Sequence, residues 1–264
     1  MHRVAGYTRQ LPLVIAEYSV LAFAGAAVGG LSPPMPVLPL GEGPFANAGT
    51  ALILLVGVGS QRAFGDEVHG SAVLMREVVS GQSRLAYMLA KDAVELVSVV
   101  LRPLVFMLSW TAFNLPRGSL WDYLLAGIAG SYAASGVAYM ASIALQPVTA
   151  QLVCAVTALI SGLMANSNTH VLEQVNFVSH MLRALLFAEL KAYEGSMLVR
   201  RCVSLGAFGG LSMQGGLASE LRALVLCGLI ARALAMVALV LKTGRPGRAS
   251  RTGREHTGAA SYSS

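Results

Sequence analysis

The chain has 264 residues, of which 55% are hydrophobic and only 12% are Asp, Glu, Lys or Arg. That charged fraction is about half the ~25% of a soluble domain, which excludes an ordinary water-facing surface. The net charge of +6 does not indicate nucleic acid, because aromatic residues are not interleaved with the basic ones, and Lys242, Arg245, Arg248, Arg251 and Arg254 follow directly on an apolar run. Such a segment is expected to face anionic membrane lipid.

A helix needs about 20 apolar residues to cross a hydrocarbon core. The first apolar segment is 11–31, where Pro12 and Glu17 interrupt the run and no small-residue cleavage site follows promptly. It is therefore expected to be a permanent span and not a signal peptide. Pro33, Pro34, Pro36 and Pro39, with Gly41 and Gly43, then form an irregular loop. The second segment is 46–64, and the polar stretch 65–92 leads into the third, 93–113. Asn114, Pro116 and Gly118 make a turn before the fourth, 120–145, and Gln146-Pro147 separates it from the short fifth, 148–165. A mixed stretch, 166–216, precedes the sixth, 217–241, and the tail 243–264 is rich in Gly, Ser, Thr and Arg and expected to be disordered. Soluble core helices are seldom apolar on every face. The expectation is an all-α, polytopic membrane protein with a six-helix bundle.

Lys and Arg counts orient it. With six spans, Arg3, Arg9, Arg62, Arg76, Arg84, Lys91 and the five tail residues share one side, eleven in all, against five on the other: Arg117, Arg183, Lys191, Arg200 and Arg201. The richer side is expected to be cytoplasmic. Arg102, Arg232 and Glu17 fall within spans. Ionisable residues there are costly unless they face protein or water, so structural pairing is the leading expectation and substrate lining the alternative.

No catalytic, cofactor-binding or metal-ligating set is found. A phosphate-binding G-x-x-x-x-G-K-[ST] loop is absent, and Gly57 and Gly59 lie in an apolar run, where close helix packing explains them. The five histidines never pair closely with cysteine or carboxylate, and no serine sits in G-x-S-x-G. Of three cysteines, Cys154 and Cys227 fall in spans as packing residues, while Cys202 falls in the expected external stretch, where a disulfide between subunits competes with a free or buried thiol.

The most informative stretch runs from Met75 to Asp92. It consists of a polar helix, a Ser80-Gly81 break and an amphipathic run into the third span, with Lys91 and Glu95 spaced to pair. Its pattern R-E-x-x-S-G-x-S-x-L-A-Y-x-L-A-K-D resembles a segment of G-subfamily (White-type) ABC half-transporters of the plant and algal branch. Further matches follow in order: Arg102-Pro103-Leu104-Val105, the turn Asn114–Ser119, Leu145–Leu152, and later Ala184-Leu185, Tyr193, Gly195 and Arg201-Cys202. The resemblance covers about 1–242.

It implies a bundle of the type-2 ABC exporter kind with external re-entrant helices within 166–216. Arg76, Glu77, Ser80 and Gly81 would be the elbow touching an ATPase domain. The substrate cavity would lie on a dimer axis between spans two and five, lined by Leu54, Leu55, Val58, Val153, Val156 and Thr157. Val171, Val175, Val178, Leu182, Leu185 and Leu186 recur at helical spacing, which suits a helix half-sunk in the outer interface or ordinary core packing. The resemblance further implies a homo- or heterodimer in contact with membrane lipid, with the plasma membrane the expected location. ATP and Mg would be bound by a nucleotide-binding domain on another polypeptide or in a preceding region, so these residues are either a stand-alone membrane subunit or part of a shortened reading frame. From other function classes, a membrane scaffold or degenerate transporter and an ion-coupled carrier remain as alternatives.

Overall fold

The computed structural model describes residues 2–32, 43–61, 81, 83–165, 176–193 and 216–243, the side chains of 2–11, 13, 43, 44 and 243 excepted. The described residues fold into seven α-helices: α1 His2–Leu31, α2 Gly43–Ser60, α3 Arg84–Asn114, α4 Leu120–Ala144, α5 Pro147–Ala165, α6 Phe177–Lys191 and α7 Leu217–Thr243. Five are long and apolar enough to cross a membrane: 14–31 of α1, then α3, α4 and α5, and 217–242 of α7. The expected second crossing is α2, but its apolar stretch Phe45–Ser60 is shorter. At 1.5 Å per residue it rises about 24 Å, against ~30 Å of hydrocarbon. Of the six expected spans, five are thus long and apolar enough to cross, and the second is a shorter apolar helix.

α4 is the centre of the bundle, touching α2, α3, α5, α6 and α7. Small residues make this possible, because Ala126, Gly127, Ala129, Gly130, Ala133 and Ala134 are among its buried positions and allow neighbouring backbones to come close. A Cβ at Gly127 would lie 3.2 Å from Pro103 of α3, and one at Gly136 would lie 2.9 Å from the Gly228 carbonyl of α7. The outer faces stay apolar: Phe23 on α1, Val94 on α3, Leu163 on α5 and Leu241 on α7 are each at least 66% exposed. Such a surface suits lipid and not water.

α6 corrects the half-sunk interface helix. Val178, Leu182, Leu185 and Leu186 are all buried in the main core, at 0–3% exposure, so core packing accounts for the stripe. Val171 and Val175 lie outside the described residues, as do 194–215 and the tail beyond 243.

α1 packs along α3 through Gly25 and Gly29, four residues apart. A Cβ at Gly25 would stand 2.5 Å from the Phe106 carbonyl oxygen, and one at Gly29 2.7 Å from that of Trp110. Rigid backbone lies on the other side, so added side chains must push the helices apart. Gly25→Val and Gly29→Val should each destabilise the fold by ~1–3 kcal/mol, in keeping with overpacking, and lower the thermal unfolding midpoint in detergent. Gly30→Ala, whose Cβ would meet nothing nearer than Phe113 at 3.9 Å, should not lower that midpoint, since alanine is the better helix former.

Candidate functional site

α3 begins beside the expected elbow. Of the elbow residues, Arg76, Glu77 and Ser80 lie outside the described residues, whereas Gly81 has φ +94° with open space around it. Conformation, and not room, requires glycine there. Ser83 then caps the helix, its hydroxyl accepting from the Ala86 N–H, which satisfies one of the free donors at the helix start. From this cap α3 runs unbroken through Asp92 into its apolar half, as the sequence led one to expect.

Two intramembrane guanidinium groups meet α3. Arg102 donates from Nε to Glu17 Oε1 of α1 at 2.7 Å, and from Nη1 to Ser60 Oγ of α2 at 2.7 Å. The same Nη1 reaches Glu95, about two turns earlier on α3, and Ser60 also donates to Glu95 Oε1 at 3.1 Å. α1, α2 and α3 are thereby tied at one point. Gly59 makes room for it, since a Cβ there would stand 2.9 Å from Glu17 Oε1. Glu95, which Lys91 is spaced to reach, thus also meets Arg102.

Arg232 of α7 forms the second tie. Its Nε donates to Asp92 Oδ1 at 2.9 Å, its Nη1 to the Tyr132 carbonyl at 2.7 Å and its Nη2 to Ser135 Oγ at 2.8 Å. The guanidinium also lies 3.7 Å from the Tyr132 ring centre, a cation–π contact strengthened by desolvation. Here α3, α4 and α7 converge. Asp92 precedes Glu95 by three residues, so both ties start from one short stretch of α3.

At the end of the bundle that carries the turn 115–119, Glu189 of α6 is fully buried. It accepts from the Gly118 N–H at 2.9 Å, the Arg117 N–H at 3.3 Å and the Tyr123 hydroxyl. Burial pushes the Tyr193 hydroxyl up from its ordinary value, and the charge of Glu189 adds to the effect. His180 and Glu220 join α6 to α7 at 2.6 Å. The sequence reading missed Asp92, Glu95, Ser60, Glu189 and Glu220 as site residues. Acidic residues within apolar surroundings were the signal for the four carboxylates, whereas nothing local marks Ser60.

The expected lining residues do not share one cavity. Leu54 and Leu55 line a 610 Å³ groove between α1, α2 and α5, with Asn47, Thr50, Leu159 and Leu163. Leu55 and Val58 also line a separate 290 Å³ groove between α1 and α2. Thr157 sits in a tight crevice beside Cys154, and Val153 and Val156 face outward on α5. Cys154 and Cys227 are free thiols, and Cys202 lies outside the described residues. Among the described residues no group of His, Cys, Asp and Glu is placed to hold a metal.

A helical bundle with five helices apolar enough to cross a membrane, tied by buried ion pairs, is a polytopic membrane domain. The family model of the ABC-2 type transporter matches residues 3–245, and the chain belongs to that family. It is similar to ABC transporter G family member 28 of Arabidopsis thaliana, 28% identical over 75% of this chain and 18% of the relative. The putative white-brown complex homolog protein 30 of the same plant is 28% identical over 88% of this chain and 21% of its own length. ABC transporter G family member 25 of Oryza sativa subsp. japonica is 27% identical over 75% and 19%. The chain thus spans about a fifth of the length of these curated relatives, and it is an integral, multi-pass membrane protein.

Arg102→Met would leave Glu17 and Glu95 facing each other without a cation and should cost about 3–5 kcal/mol, as for other buried pairs broken on one side. Unfolding in a denaturing detergent titration reads the loss. Adding Glu17→Gln and Glu95→Gln should restore most of it. Arg232→Lys keeps the charge but gives up the planar fork and ring contact, so its unfolding midpoint should fall between native and Arg232→Ala.

Proposed function

We propose that this chain is the membrane-spanning part of an ATP-driven exporter that moves lipidic or amphipathic compounds across a membrane, the plasma membrane foremost. ATP and Mg would be handled by a nucleotide-binding domain outside these residues, and two such membrane domains would work as a homo- or heterodimer. The observation that carries this function is the position of α3. The helix starts at the Gly81 elbow and, within twelve residues of its start, holds both Arg102 through Glu95 and Arg232 through Asp92. A push delivered at 76–81 would therefore move α1, α2, α4 and α7 together with α3. The 610 Å³ groove beside α2 and α5 supports an amphipathic cargo, since its walls are apolar apart from Asn47 and Thr50.

Two measurements test this. Ser80→Cys should react with an impermeant maleimide in inside-out vesicles and stay unlabelled in right-side-out ones; labelling from the outside would refute the arrangement. In vesicles from cells expressing the chain with its nucleotide-binding partner, ATP-dependent uptake of a fluorescent phospholipid should drop at least tenfold with Gly81→Val, because a β-branched residue resists positive φ. Val156→Trp should reduce it as well. A scaffold would tolerate both changes, and ATP hydrolysis by the purified chain unaided would contradict the assignment.

A further inference from the structure

Arg222 of α7 is a cation that the ties described above do not include. It lies in the apolar window 217–242, its side chain is exposed, and it has no hydrogen-bond, ion-pair or ring partner among the described residues. Arg102 and Arg232 are the opposite case, both buried and both paired. Charged residues within spans normally turn inward, so one that faces outward calls for an anion from its surroundings.

The nearby carboxylates are committed elsewhere. Glu220 stands two residues earlier, a separation at which helical side chains do not face each other. It is buried, with its carboxylate on His180 at 2.6 Å and Arg183 at 3.8 Å. Asp122 is held by Lys191, and Glu189 by the 117–118 backbone and Tyr123. Glu173 and Glu194, on the segments flanking α6, lie outside the described residues, and the test below includes a readout for them.

The depth of Arg222 follows from the helix that carries it. Leu239, near the C-terminal end of α7, packs with Met88 at the start of α3, so that end is on the elbow side and Arg222 is at the far one. From Arg222 to Thr243 the helix rises about 31 Å at 1.5 Å per residue, against ~30 Å of hydrocarbon. The guanidinium therefore stands at the hydrocarbon rim, where lipid phosphates lie. On the same face toward the bilayer centre come Leu226, Leu229 and Ala233, all exposed.

We propose that this face of α7 binds a phospholipid of the leaflet opposite the elbow, its phosphate on Arg222 and an acyl chain along Leu226, Leu229 and Ala233. The planar fork of a guanidinium matches two phosphate oxygens at once. The face shares no residue with the groove proposed for cargo.

The test uses the full chain in dodecyl maltoside, a detergent without phosphate. The probe is radiolabelled dioleoylphosphatidylcholine, with dioleoylglycerol as the phosphate-free competitor. The expected result is saturable binding that dioleoylglycerol does not displace at equal concentration. Arg222→Ala should weaken it roughly tenfold, and Arg222→Lys, which keeps the charge without the fork, should fall between. A double variant, Leu226→Ala with Leu229→Ala, leaves the cation in place and should also weaken binding. In lipid-free detergent the unfolding midpoint of Arg222→Ala should not fall below that of the native chain. A drop would mean that Glu173, Glu194 or a second copy of the chain pairs with Arg222, and would overturn the proposal. So would the lack of a saturable component, binding undiminished in Arg222→Ala or in the double variant, or equal displacement by dioleoylglycerol. Phospholipid seated in the cargo groove instead would give undiminished binding in both variants. Since no transport is measured, failure here leaves the exporter function standing.

Discussion

A guanidinium inside a bilayer is stable only when protein replaces the water it has lost, and this bundle does so twice. Arg102 is surrounded by Glu17, Glu95 and Ser60, and Arg232 by Asp92, Ser135, a carbonyl and an aromatic face. Neither tie can be loosened singly without exposing a charge to hydrocarbon. The pairs therefore fix which helices are neighbours more firmly than apolar packing does, because lipid tails compete equally well for Leu and Val.

Packing then completes what the charges specify. The Gly25 and Gly29 contacts bring α1 onto α3 backbone to backbone, and the small residues of α4 let five helices approach it. Gly136 and Gly228 open the space that Arg232 and Tyr132 fill. Close contact and charge pairing thus fall on the same helices. α3 belongs to both, so a displacement of its start would be carried to α1, α2, α4 and α7. The grooves, by contrast, lie along α2, where the apolar stretch is short and no charge tie among the described residues reaches its N-terminal half.

Much of this was legible in the sequence. Segment length and apolarity placed α4, α5 and α7 within a few residues, since these depend only on local composition, whereas α1 and α3 each begin nine residues before their apolar segments, on polar turns that hydropathy does not mark. The break at Gly81 and the unbroken run from Ser83 into the third span were also visible. What local pattern does not carry is partnership: Glu17 and Arg102 are 85 residues apart and Arg232 and Asp92 are 140 apart. Glu95 was therefore matched with Lys91, its neighbour by helical spacing. The same limit explains α6, whose apolar stripe marked a buried face without saying whether lipid or protein buries it. It also explains the lining residues, whose six positions face four different surroundings. The Gly25–Gly29 spacing was readable, but its significance depends on α3 lying opposite.

The grip of Glu189 on 117–118 has a further consequence. Those two backbone N–H groups and the Tyr123 hydroxyl are held by one fully buried carboxylate. Separating α6 from the α3–α4 hairpin would strip that anion of all three donors at once, which makes the hairpin tip and α6 a single latch. Any parting of the bundle at this end must follow a seam that the latch does not cross. The α2–α5 boundary is such a seam: it has no ion pair among the described residues, and the 610 Å³ groove already begins to open it.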